Sequence, residues 1–414
     1  MMMAIKRKQR TLVIVERKLV QNRGHHHTQI TALRTMLPDY KTALITGEAY
    51  DGFLGTPAAT LAISAPKGSK LRSRLKYGNP LERLSALLAL LRKDLLFNMP
   101  VSVYGQRLAE IVTNLELDQS DVIIVPTADL DTLESSVDLH CILGDAAPRI
   151  ILRFLNTELG DRNDRIRSAR LREARAKLPH GILLFTETEE LADHLRREFN
   201  IPIIGGFYLP CSLPIGEAPE ERASNDRFRI GVFGDPRPEK GSSRIPGITT
   251  ALAQKAAAGP ATQLEVVVQG GTADFQEHGV YSALAEYQAS GGVVVVSPRD
   301  NHLSPQEFRR LFASVDTILL PYDASVYNLQ GSGVLQDAVA ARKPIIYTKG
   351  MSMMSFLDHG NGVAAETDED FAEAIMRVAS DPTAFREGTA RAAAYLQHVL
   401  AANPFLRTIN ATRQ

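Results

Sequence analysis

Cysteine is scarce: Cys141 and Cys211 are the only two in 414 residues. That excludes a disulfide framework and fits reduced thiols. No CxxC or His-rich ligand spacing is present, so no structural zinc site is expected. No run of 18 apolar residues occurs, so no helix is expected to span a membrane. The first residues, MMMAIKRKQR, are basic, and the apolar TLVIVE that follows is too short for a signal-peptide core and reads as a strand. The expected location is the cytoplasm, with a peripheral position on the inner face of a membrane as the variant. Neither half carries GxGxxG after its first strand, which argues against a dinucleotide dehydrogenase. Aromatic residues do not interleave with the basic ones, so nucleic acid is not an expected partner.

What remains is ample for two cores. A chain of 414 residues with 44% hydrophobic and 23% charged residues predicts two soluble domains. Net charge is zero but uneven: residues 1–110 hold 18 Lys and Arg against 7 Asp and Glu, a net of +11. Such an excess fits either an anionic neighbour or a solvated surface. The basic stretches KGSKLRSRLKYG (67–78) and RNDRIRSARLREARAK (162–177) are the candidates for contact with an anionic membrane.

Short apolar, β-branched runs alternate with longer helical patterns along almost the whole chain. Strands are expected at 11–15, 42–46, 121–125, 149–155, 181–185 and 201–205, with helices near 80–97, 103–117, 129–138, 163–177 and 187–199. Residues 207–228 hold three prolines and a polar tail and read as a linker. The alternation then restarts, with strands at 229–233, 264–268, 293–296, 317–321, 344–347 and 362–365. Helices follow near 243–257, 280–289, 304–314, 333–341, 368–379 and 383–400. No repeat between the halves is evident beyond this rhythm. The pattern is α/β, with βαβ units around two parallel sheets. Domains are placed at 1–208 and 229–382, joined by 209–228, with 383–414 as a C-terminal helix that returns to the first domain. Ligands of open α/β sheets bind beyond the carboxyl ends of the strands.

The most informative stretch is TILLPYDASVYNLQGSGVLQDAVAARKPIIYTKG, 317–350. A buried strand ends at Pro321, a loop follows, and Gly331-Ser332-Gly333 opens a helix. Glycines there let a phosphate approach free backbone N–H groups under the helix dipole. Ser332 either donates its hydroxyl or caps the helix, and Asp337, a turn further on, can accept from a ribose. A second stretch, RIGVFGDPRPEKGSSR (229–244), places Gly234, Arg237 and Lys240 after the first strand of the second half. Asp-Pro-Arg-Pro is turn-forming by itself, so a surface turn is one reading of this stretch. In SPRDNHLSPQEFRRLFASVD (297–316), Arg299 reads as a solvated cation, and the resemblance described next would set it against a nucleotide base.

These segments resemble the donor-site signature of the retaining GT-B glycosyltransferases of the large sucrose-synthase/mannosyltransferase-like family (glycosyl transferases group 1). The line E-A-x-A-x-G-x-P of that family is matched by Asp337 to Pro344, with Asp337 for the ribose-binding Glu and Arg342 for the Gly. Leu329 stands where the family has a sugar-binding Glu, with Gln330 beside it. Lys240 matches the family lysine, and Arg237 is the nearest substitute for its arginine. The resemblance implies two Rossmann-like domains facing across a cleft, a UDP- or GDP-linked sugar as donor, and neither cofactor nor metal. The donor residues it implies are Gly24, Gly234, Arg237, Lys240, Arg299, Tyr327, Gln330, Gly331, Ser332, Gly333, Val334 and Asp337.

In the first half, QNRGHHHTQITAL (21–33) turns from the first strand at Gly24. His25 or His26 is expected toward a glycan, lipid-linked or protein acceptor, together with Asn156 of RFLNTELGD (153–161). Three adjacent histidines diverge around a helix and do not make a metal site. The function so implied is transfer of a sugar with retention. The alternatives are a nucleotide-sugar epimerase or hydrolase of the same fold, or a non-catalytic nucleotide-sugar-binding protein.

Overall fold

The computed structural model describes residues 9–20, 24–61, 74–91, 103–159, 164–210, 212–215, 227–258, 263–270, 294–299 and 303–410. The helix expected at 280–289 lies outside the described residues, as do 67–73 and 162–163 of the two basic stretches. Among the described residues no helix is long and apolar enough to cross a membrane. The chain divides into two compact units, residues 1–209 with 411–414, and residues 210–410.

The first unit runs β1 (Thr11–Glu16), α1 (Gly24–Met36), β2 (Lys41–Thr46), β3 (Ala59–Thr60), α2 (Pro80–Leu91), α3 (Val103–Asn114), β4 (Val122–Ala128), α4 (Leu130–Leu143), β5 (Arg149–Phe154), α5 (Arg165–Ala176), β6 (Ile182–Thr186), α6 (Glu189–Phe199) and β7 (Ile203–Gly206). Its seven strands are parallel, in the order β3-β2-β1-β4-β5-β6-β7. Leu12, Val13 and Ile14 of β1 and Ile123 and Ile124 of β4 are fully buried, as expected of strands covered on both faces. Helix starts are set by local chemistry. Asp129 and Thr132 form a reciprocal capping box on α4, and Thr188 caps α6, which ends at Asn200 in the left-handed region.

The second unit runs β8 (Arg227–Val232), α7 (Ile245–Ala258), β9 (Gln263–Gln269), β10 (Val295–Arg299), α8 (Pro305–Ala313), β11 (Thr317–Leu320), α9 (Ala324–Tyr327), α10 (Gly333–Ala340), β12 (Ile345–Thr348), β13 (Gly362–Ala365), α11 (Asp368–Ser380), α12 (Arg386–Ala401) and α13 (Pro404–Asn410). Its sheet is parallel throughout, in the order β10-β9-β8-β11-β12-β13. Ile248 and Leu252 of α7 and Phe371 and Ile375 of α11 share one buried cluster with Ile230, Val266 and Ile346 of the sheet. Each such side chain contributes about 1.5–3 kcal/mol by leaving water.

Helix α12 packs inside the second unit, where Tyr395 meets Phe356 and His359 and Arg391 donates to the His359 carbonyl. Residues 386–410 thus group with the second unit. The halves also share more than rhythm. DVIIVP (121–126) and DTILLP (316–321) align residue for residue. Asp121 accepts from the Thr11 N–H at 2.6 Å, and Asp316 accepts from the Arg229 N–H at 2.7 Å. In each unit a carboxylate ahead of one central strand accepts a backbone N–H near the start of its neighbour.

Candidate functional site

In the second sheet, strand order reverses between β8 and β11. The crevice beyond the carboxyl ends of these two strands is the natural ligand site of such a sheet. The loops that follow them are the two segments singled out in the sequence.

After β8, Phe233 is buried and stacks on Phe312 at 4.9 Å. Gly234 then turns with φ +95° and donates its N–H to Gln269 Oε1 at 3.0 Å. A side chain at Gly234 would lie 2.5 Å from Lys240 Nζ, so the lysine folds back over the bare glycine. Gly241, at φ +73°, sits against the Pro321 carbonyl, and the Asp323 N–H donates to the Glu239 carbonyl at 2.9 Å. The loop is thereby fastened to the end of β11. Burial, reinforced by the charge of Arg237, pushes the Lys240 ammonium down to about 8, against the opposing pull of Asp235 and Glu239. No hydrogen-bond acceptor is recorded for this ammonium among the described residues. Arg237, by contrast, is half exposed and paired with Glu239 at 3.2 Å.

After β11, Tyr322 and Tyr327 are buried and in ring contact at 4.4 Å. Tyr327, expected at the donor, is therefore a core aromatic under the loop. Ser352 stitches the loop from below, donating its N–H to the Tyr327 carbonyl and its hydroxyl to the Gln330 carbonyl. Ser332 is the N-cap of α10: its Oγ accepts from the Leu335 N–H at 3.2 Å. The Ser332 N–H donates to Met353 Sδ at 3.2 Å, so it is not among the amides open to a phosphate. Gly333 and Val334, the first two residues of the helix, have no intrahelical acceptor for their N–H groups. Gly333 is exposed, and nothing lies within 4 Å of the place its side chain would take. The Val334 side chain and the Lys240 ammonium both border the Gly234 turn. Lone cation and open helix start thus meet at one glycine.

The far end of α10 is equally fixed. Arg342 adopts φ +52°, the left-handed conformation that ends many helices and favours glycine. Lys343 returns its N–H to the Ala338 carbonyl at 2.9 Å, and its buried Nζ bonds the Ala313 and Val315 carbonyls. Asp337 has an occupant that the sequence did not reveal. It is 5% exposed, and its Oδ1 accepts from the N–H groups of Ser212 at 2.8 Å and Leu213 at 3.0 Å. It anchors the segment that leads into the second unit. Arg299, at the end of the edge strand, is paired with Glu265 at 3.8 Å rather than presented alone.

In the first unit, order reverses between β1 and β4, and Glu16 ends β1 there. Sequence reasoning passed over this residue, although a lone acid closing a buried strand was the available signal. Glu16 is buried, takes the Thr127 hydroxyl at 2.6 Å and the Lys18 N–H at 3.1 Å, and lies 3.2 Å from His26 Nδ1. Burial pushes its carboxyl up, but His26, Thr127 and the Lys18 amide together outweigh this and hold it below the usual range. Gly24 starts α1 and is not a free loop, which puts His26 on the first turn of the helix. The side chain of His25 lies outside the described residues. Asn156 is exposed just beyond β5. Among the described residues no group of three His, Cys, Asp or Glu side chains is placed to hold a metal.

No family model matches this sequence, and no curated protein matches it either. Solved structures do match in fold. HepE from Anabaena, in complex with UDP and glucose, is 13% identical over 97% of this chain and 100% of its own, with a TM-score of 0.60. The UDP-forming α,α-trehalose-phosphate synthase of Burkholderia xenovorans, in complex with glucose-6-phosphate, is 16% identical over 96% and 99%, with a TM-score of 0.58. The pneumococcal O-GlcNAc transferase GtfA, in complex with UDP and GlcNAc, is 11% identical over 73% and 59%, with a TM-score of 0.51. The chain has the GT-B fold, two parallel-sheet Rossmann-like units in succession.

Proposed function

We propose that the protein is a glycosyltransferase that takes a sugar from a UDP- or GDP-linked donor and passes it to a glycan, lipid-linked or protein acceptor. The observation that carries this reading is the Lys240 ammonium, packed against Gly234 with no recorded acceptor and set beside the open N-terminus of α10. A half-buried ammonium with no recorded hydrogen-bond acceptor, only partly offset by the nearby charges of Asp235 and Glu239, gains when an anion arrives. A diphosphate supplies the charge, and the Gly333 and Val334 N–H groups supply directed donors. The similar structures that hold UDP agree with this choice of ligand.

In the proposed reaction, the bond from the anomeric carbon to the diphosphate oxygen breaks. The acceptor oxygen bonds to that carbon on the same face, and its proton passes to the departing phosphate. Lys240 and the helix start stabilise the charge on the diphosphate, so the step needs no metal. The ribose meets the unit formed by Asp337 with the Ser212 and Leu213 amides. His26, steadied by Glu16, and Asn156 are assigned to the acceptor.

Calorimetry with UDP, GDP and their sugars tests the donor half. Binding of one nucleotide, lost in Lys240→Ala, is expected; failure of both to bind, or retention in the variant, defeats the reading. The anomer of the product, read by NMR, tests retention. A non-catalytic binding protein is the second reading, favoured by Leu329 at the place of the expected acid. It predicts UDP binding with no sugar released or transferred.

A further inference from the structure

Helix α2 is well made yet barely packed. Asn79 and Glu82 exchange hydrogen bonds across its start, the Glu82 N–H to Asn79 Oδ1 at 2.9 Å and the Asn79 N–H to Glu82 Oε2 at 2.8 Å. Pro80 occupies the first helical position. From residue 81 to 88 only Ala86 is buried. Leu81, Leu84, Leu87 and Leu88 are 79%, 54%, 42% and 48% exposed. At 3.6 residues per turn these four leucines fall within a stripe of about 120°, on the side of the helix away from Ala86. A surface helix ordinarily turns such a stripe inward; here it faces solvent.

The surroundings are cationic. Lys76 donates to Glu173 Oε2 of α5 at 2.6 Å, Tyr77 bonds the same oxygen, and Lys177 bonds Glu173 Oε1 at 2.8 Å. This joins the two basic stretches, far apart in sequence, on one side of the first unit. Arg170 is already neutralised by Asp131 and Glu134, but Arg74, Arg83, Arg172 and Arg175 are exposed. Among the described residues from 74 to 88, Arg74, Lys76 and Arg83 stand against a single acid, Glu82.

We infer that α2 is an interfacial anchor that lies on an anionic lipid bilayer. Its leucines enter the boundary between headgroups and acyl chains, and the arginines beside it meet lipid phosphates. Apolar area gives insertion, and charge selects the anionic surface. The cationic surround is the reason to choose lipid over a second copy, whose equally basic face would be repelled. The inference stands apart from the donor site, which lies in the other unit.

The test is co-sedimentation of the full chain with vesicles of phosphatidylcholine, with and without about one-third phosphatidylserine. The protein is expected to sediment with the anionic vesicles, and less so as salt rises. Leu84→Ser with Leu88→Ser should lower this binding by at least about tenfold, since burying one leucine is worth that much. Arg172→Glu with Arg175→Glu should lower it while leaving the leucines in place. UDP binding and thermal midpoint should not move in either variant, because these side chains are already exposed. Absence of binding to anionic vesicles, or binding unchanged in the leucine variant, overturns the inference. So does a concentration-dependent dimer that the leucine variant abolishes.

Discussion

Replacing Lys240 by Met should make the ligand-free protein more stable and the site useless. Burial displaces this ammonium from 10.5 to about 8, which corresponds to about 3 kcal/mol against the charged form at neutral pH. Methionine keeps much of the stem and removes the charge, so the second unit should gain up to that amount. For a unit of this size the midpoint should rise by up to about 6–12 °C. The sign of the pH dependence follows. The folded value lies below the unfolded one, so between about 8 and 10.5 the unfolded chain binds more protons. Wild-type stability should therefore rise with pH across that window, and the advantage of Lys240→Met should shrink to nothing above it. Scanning calorimetry of both proteins at pH 7 and pH 10.5 reads this directly. Calorimetric titration at pH 7 should show UDP affinity reduced about 10–150-fold, the worth of one charge-assisted contact. A variant that is less stable at pH 7, or that binds UDP like the wild type, refutes the reasoning.

Three further outcomes are expected. Gly333→Leu should fold normally, since its side chain enters open space, but should lower UDP affinity at least about tenfold by filling the approach to the helix start. Arg342→Gly should raise urea stability by about 1 kcal/mol, because it relieves a left-handed backbone and removes a buried Nε without a partner. Asp337→Ala should cost about 2–3 kcal/mol in the same assay by stranding the Ser212 and Leu213 amides, and Asp337→Asn, which keeps an acceptor, should cost less.

The architecture was legible because every central strand is a short β-branched run, and buried parallel strands must be apolar on both faces. The two loops at the carboxyl ends of β8 and β11 were legible through glycine, and at Gly234 the reason is a Lys240 ammonium too close for a side chain. The rest depends on contacts that local sequence does not encode. Asp337 meets amides 124 and 125 residues away, and the Ser332 N–H finds a methionine sulfur 21 residues on. Tyr327 was placed at the donor by the resemblance alone, whereas Tyr322 gives it a buried partner. The paired DVIIVP and DTILLP were readable and were passed over, since six residues are too few to rise above chance until Asp121 and Asp316 are seen in the same role. The sequence marked a helix near 80–97, but the outward turn of its leucines is set by the burial of Ala86, which sequence spacing does not show.

The clamping of α10 at both ends has a consequence for how such a site changes over time. A sulfur and a serine hold its start, and a lysine shared with two carbonyls holds its finish. On the reading proposed above, the Gly333 and Val334 amides are already aimed before anything arrives, so docking a diphosphate there would order no new backbone and forfeit little entropy. A rigid cradle of this kind reads only what every sugar nucleotide has in common. Preference for one base or one sugar must then be written in the surrounding loops, and a change of donor can be acquired by altering those loops with the cradle left untouched.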